Sequence, residues 1–120
     1  MPLCILSAGK LTMLAVSAFT LSWTHSVEKT RWQENWVVAH DGLRVVEARV
    51  QGSGAGMDPP EGARLVDGWW VYVPNVPTQP SLLLASSGAT AGGWRLCAEG
   101  QCREIGANPG APVELRPCPG

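Results

Sequence analysis

Alternation of apolar and polar residues runs through the chain. It is unbroken from 19 to 26: Phe19, Leu21, Trp23 and His25 fall on one side, and Thr20, Ser22, Thr24 and Ser26 on the other. A period of two belongs to a half-buried strand, whose successive side chains point to opposite faces. Residues 31–39 alternate again, with Trp32, Glu34, Trp36 and Val38 on one side. Asp41-Gly42 signals a hairpin turn, and the Val-rich stretch 43–51 is its returning arm. Strict alternation sets Leu43, Val45 and Glu47 on one face of that arm, with Val46, Ala48 and Val50 on the other.

Shorter strand patterns lie at 2–7, 11–16, 69–73, 82–85, 94–97 and 102–105. The first two pair across a Ser-Ala-Gly-Lys turn, where Gly supplies the positive φ. The strand at 69–73 offers an exposed edge through which two copies can pair. Between 52 and 62 the chain is an irregular Gly- and Pro-rich loop without helical periodicity. The Pro-rich end, 108–120, reads as an extended tail, with 112–116 at most an edge strand, where Pro is tolerated. Roughly nine short strands separated by turn signals predict an all-β fold, a single small antiparallel sandwich or barrel. Periodicity does not choose between the two. With 120 residues and no internal repeat or linker, 1–120 reads as one β domain.

Composition narrows the function classes. Hydrophobic residues make up 45% and charged residues 16%, with a formal net charge of -1. Such a chain buries a core, and it has neither the basic footprint of a nucleic-acid binder nor a polybasic run for anionic lipid. The apolar run 11–19 is too short to cross a bilayer, so no direct membrane insertion is expected. Its flanks fit a strand better than a targeting segment, and a start read that way carries no export signal and implies the cytoplasm. The six Trp residues fill a small core and its rim, or line in part a ligand pocket.

Four cysteines are present: Cys4, Cys97, Cys102 and Cys118. A hairpin centred on Glu99-Gly100 sets Cys97 opposite Cys102, close enough for a disulfide. Cys4 and Cys118 are able to clamp the two ends of the chain, although nothing in the sequence sets them side by side. Buried reduced thiols are the alternative. Zinc ranks below both, because the C-x4-C spacing lacks a second close pair. No metal or cofactor is expected.

The densest polar cluster is His25, Ser26, Glu28 and Lys29. His25 and Ser26 are neighbours on a strand, so they face apart and make no nucleophile–base pair. His25 with Glu34 or Glu47 remains open if those strands adjoin it; a hydrogen-bonded, structural histidine is the plainer reading. Glu34 shares its face with Trp32 and Trp36. A carboxylate among tryptophans needs a partner if buried, and the favoured reading turns this face to solvent. Gly52-Ser-Gly-Ala-Gly56, with Gly54 and Gly56 at its centre, is able to hold an anion on backbone N–H groups. No helix or Lys-Ser/Thr pair follows, so a bulge or tight bend is the stronger reading.

Trp23-Thr-His-Ser-Val-Glu-Lys29, Glu34-Asn-Trp36 and Gly52-Ser-Gly-Ala-Gly-Met57 resemble a family of small bacterial domains of unknown function. Members are encoded beside, or fused to, TRAP-type transporters of the TAXI class. The resemblance covers roughly a third of the chain by its motif span. It implies a link to solute uptake and a periplasmic location, and it supplies no activity. Trp32 stands near a position where members often carry proline.

Two readings follow. In the first, His25, Ser26, Glu28, Lys29, Trp32, Glu34, Trp36, Gly54 and Gly56 form a ligand-binding patch of a non-enzymatic accessory domain. Its partner is a small organic solute or a transporter component. In the second, His25 and a carboxylate serve a small hydrolase-like enzyme, although no nucleophile elbow or zinc motif supports one. Oligomeric state is not legible.

Overall fold

A computed structural model of the chain describes residues 2–24, 30–51, 61–86 and 93–119. Every regular element among them is a strand. In chain order these are β1 (Leu3–Ser7), β2 (Lys10–Leu14), β3 (Ala18–Thr24), β4 (Arg31–Ala39), β5 (Gly42–Gln51), β6 (Arg64–Val66), β7 (Trp69–Tyr72), β8 (Leu82–Ser86), β9 (Trp94–Ala98), β10 (Gln101–Ile105) and β11 (Gly110–Pro117). They form two antiparallel sheets, β2-β1-β11-β8 and β10-β9-β3-β4-β5-β7-β6. Neither sheet closes on itself, so the fold is a sandwich and not a barrel.

Local chemistry sets the hairpins. Ala8 and Gly9 both take positive φ (51° and 78°) between β1 and β2, the signature of a two-residue turn that matches strand twist. Asp67-Gly68 and Glu99-Gly100 repeat the device before β7 and β10. The start of the chain thus forms the expected hairpin, Leu3 pairing with Leu14 and Ser7 with Lys10.

Phe19, Leu21, Trp36, Val38, Leu43, Val45 and Leu96 of the larger sheet pack against Leu3, Ile5, Leu84, Val113 and Leu115 of the smaller one. Phe19 and Trp36, directly opposite across β3 and β4, lie parallel with centroids 6.3 Å apart. Trp94 ties the sheets together by donating its indole N–H to the Ala85 carbonyl of β8 at 3.0 Å.

Four expectations are corrected. The face holding Trp32, Glu34, Trp36 and Val38 points inward, since Trp36 is only 6% exposed; the solvent-facing reading fails because β11 lies over β4 and β5. The faces of β5 are not those of strict alternation. Asn35 pairs with Glu47 but Trp36 pairs with Val45, leaving Val46 unopposed in a bulge. The extra residue flips the phase, so Leu43, Val45, Ala48 and Val50 are all buried. Finally, 110–117 is no tail and no edge: β11 lies between β1 and β8. Pro112 is tolerated there because it sits in a register shift between Gly110 and Val113, where a missing N–H breaks no ladder. Strand β7 is likewise flanked on both sides, by β5 and β6, so the edge expected at 69–73 is taken.

Two disulfides form, Cys97–Cys102 and Cys4–Cys118. The first joins residues directly opposite in the β9–β10 hairpin, as its spacing predicts. The second is placed by β1–β11 pairing. Cys4 faces Arg116, and the Cys118 N–H donates to the Pro2 carbonyl at 2.9 Å.

Candidate functional site

The larger sheet carries two rows of side chains on its inward face. One runs by register Leu96, Leu21, Glu34, Ala48, Tyr72 across β9, β3, β4, β5 and β7. The other runs Trp23, Trp32, Val50, Trp70 across β3, β4, β5 and β7, and Trp94 of β9 extends it beyond Trp23. Trp23 and Trp32 lie parallel at 6.2 Å, and Trp94 tilts against Trp23 at 4.9 Å. Such pairs add about 0.5–1.5 kcal/mol each beyond their burial.

This row is less covered than the core. Trp23 and Trp94 pack against the buried cluster, whereas Trp32 and Trp70, together with Tyr72 at the end of the first row, stand outside it and are half-buried. The result is a shelf of two indoles and a phenol continuous with the core but open to contact.

Glu34 stands at the inner margin of the shelf. Trp36, two residues along the same face, donates its indole N–H to Glu34 Oε1 at 3.1 Å. Burial pushes the Glu34 carboxyl above the ordinary carboxylate value, and the Trp36 hydrogen bond opposes that shift in part. Desolvation disfavours the charged form, and a hydrogen bond to the carboxylate restores some of it. Tyr72 is raised as well, by burial first and then by the negative charge of Glu34. Ala48 lies between the two. As a small, fully buried residue, 2% exposed, it lets the carboxyl and the phenol approach each other over its methyl group.

Among the described residues, the ion pairs are Arg49 with Glu47 at 2.9 Å and Arg116 with Glu114 at 3.6 Å; neither involves Glu34. The inward face therefore offers an acceptor oxygen beside aromatic surfaces, suited to a cation or a hydrogen-bond donor. No group of three or more His, Cys, Asp or Glu able to hold a metal occurs among the described residues.

Of the residues singled out from the sequence, Trp32, Glu34 and Trp36 come together on this face. His25, Ser26, Glu28, Lys29, Gly54 and Gly56 lie outside the described residues. Glu47 does not join Glu34: it faces outward beside Arg49. Sequence reading missed Trp70, Tyr72 and Ala48. The alternation of 69–72 was visible, but the partner of that strand was not, and only the β5–β7 register places Tyr72 near Glu34.

No curated protein and no solved structure shows significant similarity to the chain. A family model does match, over residues 19–105, which takes in the shelf, Glu34 and the β9–β10 disulfide. By that match the chain belongs to the family described as domain of unknown function DUF1850.

Proposed function

We propose that this is a non-enzymatic binding domain whose ligand is a small organic solute carrying a cationic or hydrogen-bond-donating group and an apolar face. One observation carries this reading. Glu34 is held on an inward, aromatic face by Trp36, without a cationic partner among the described residues. A half-desolvated carboxylate is costly unless paired, and an amine seated between Trp32, Trp70 and Tyr72 supplies the pair together with cation–π contact.

The resemblance to domains that accompany TRAP-type transporters makes solute uptake the natural setting, with a transporter component as the second partner. Two disulfides suit an oxidising compartment, which agrees with a periplasmic location. The hydrolase alternative rests on His25, outside the described residues, and gains no support from Glu47, already engaged with Arg49.

Amide NMR titration of the oxidised protein with organic amines, amino acids and dicarboxylates tests the proposal. Shifts gathered on Trp32, Glu34, Trp70 and Tyr72, lost in Glu34→Gln, support it. Silence across the amines in a folded sample, or binding unchanged in Glu34→Gln, overturns it.

A further inference from the structure

The opposite, outward face of the same sheet has a different character. By register it carries Arg31, Arg44, Arg49, Arg64 and Arg95, five of the nine Lys and Arg residues of a chain whose net charge is -1. On the strands of that face the acids are Glu47 and Glu104. Scattered arginines on a solvent face are ordinary; the arrangement around β3 is not. Arg31 lies directly opposite Thr24 from the β4 side, and Arg95 directly opposite Ser22 from the β9 side. Two guanidinium groups thus flank two hydroxyls that stand two residues apart on one strand. A cleft of about 130 Å³ opens there, lined by Ser22, Trp23, Thr24, Arg31, Gly93, Arg95 and Glu104.

Arg49, by contrast, is already engaged with Glu47. Neither Arg31 nor Arg95 forms an ion pair among the described residues, Glu104 included. Gly93 has its own reason to be glycine: φ is +70°, and a Cβ would meet the Ala107 backbone at 2.7 Å. The cleft is therefore a consequence of packing that leaves two arginines and two hydroxyls facing one space.

We propose that this cleft binds a phosphate-type oxyanion, with Arg31 and Arg95 as its charged donors and Ser22 and Thr24 as its neutral ones. Donors on both sides and beneath suit a group with several acceptor oxygens, and guanidinium forks match phosphate geometry. Glu104 opposes binding and sets its strength. The site lies on the face away from Glu34, so it stands or falls independently of the solute-binding reading.

The test is titration of inorganic phosphate into labelled protein at fixed ionic strength, in wild type and in Arg31→Gln, Arg95→Gln, Glu104→Gln and Arg44→Gln. The expected result is saturable shifts at Ser22 and Thr24, weakened about tenfold or more in Arg31→Gln or Arg95→Gln. Glu104→Gln binds more tightly, and Arg44→Gln, outside the cleft, matches wild type. A second arm uses vesicles of phosphatidic acid against phosphatidylcholine. Capture by phosphatidic acid alone, lost in Arg95→Gln, assigns the oxyanion to a lipid headgroup; phosphate binding without capture assigns it to a soluble ligand. Absence of saturable shifts together with absence of capture overturns the proposal, as does equal weakening in Arg44→Gln and Arg95→Gln, which means charge without a site.

Discussion

Trp36 donates its indole N–H to the carboxylate of Glu34, two residues earlier on the same inward face of β4. The same ring lies parallel to Phe19 in the core. One side chain therefore belongs at once to the packing that holds the sandwich and to the group that gives its open end chemical character.

Replacing Trp36 by Phe separates those roles. The ring remains, and the donor is lost. The Glu34 carboxyl should titrate at still higher pH, because the hydrogen bond that stabilised its charged form is gone. Stability should fall by about 1–3 kcal/mol from the smaller ring and the lost bond. Carbon-detected NMR titration of the Glu34 carboxyl and urea denaturation read the two effects.

Glu34→Gln should stabilise the protein at neutral pH. A carboxyl whose pKa is raised on folding holds its proton more tightly in the native state than in the unfolded chain. Stability therefore falls as pH rises from the unfolded to the folded pKa. The glutamine variant lacks that dependence. Its advantage should be present at pH 7 and vanish as pH drops below the ordinary Glu range. Water still reaches the carboxyl, which holds the gain to at most about 1 kcal/mol. Thermal unfolding of both proteins across pH checks the sign.

The two disulfides should differ in weight. Cys4–Cys118 closes a sequence separation of 114, and Cys97–Cys102 one of 5. Loop-closure entropy gives about 4–5 kcal/mol for the first and about 2 for the second. Paired Cys→Ser variants compared by urea denaturation should show that order, and the C97S/C102S form should keep its hairpin.

Val46 should tolerate both substitution and deletion. It is 39% exposed, so Val46→Ser should cost about 0.5 kcal/mol or less. Removing the residue brings Leu43, Val45, Ala48 and Val50 into one unbroken alternation, so all four stay on the buried face, with Val45 and Glu47 as consecutive partners of Trp36 and Asn35. Both variants should keep a dispersed amide spectrum; its loss in the deletion alone would mean that the bulge is needed for more than the phase of the strand.

These cases show where the sequence speaks and where it is silent. Strands β3 and β4 were plain because one side of each alternates without interruption, and the β9–β10 disulfide followed from a turn and a count. The bulge at Val46 leaves no local mark, since Val is an ordinary strand residue on either face. The inner position of β11 was hidden by Pro112, whose missing N–H is a fault in a regular ladder but not at a register shift. The direction of the Glu34 face was hidden for a different reason. Alternation separates two faces of a strand without saying which one a second sheet will cover, and here the covering strand arrives from the far end of the chain.

That long return also governs the order of assembly. Leu3 pairs with Leu14 nearby but with Pro117 across nearly the whole chain. The first hairpin is made early and then carries Leu3 and Ile5 with no sheet to complete it. At synthesis rates of roughly 5–20 residues per second, that interval lasts on the order of 5–20 s. The seven-stranded sheet, built from strands between 18 and 105, can condense meanwhile and offer its Phe19–Trp36 surface as a temporary host. Closure of the four-stranded sheet is then the slow, non-local step, and the interval before it is when the chain is most exposed to aggregation.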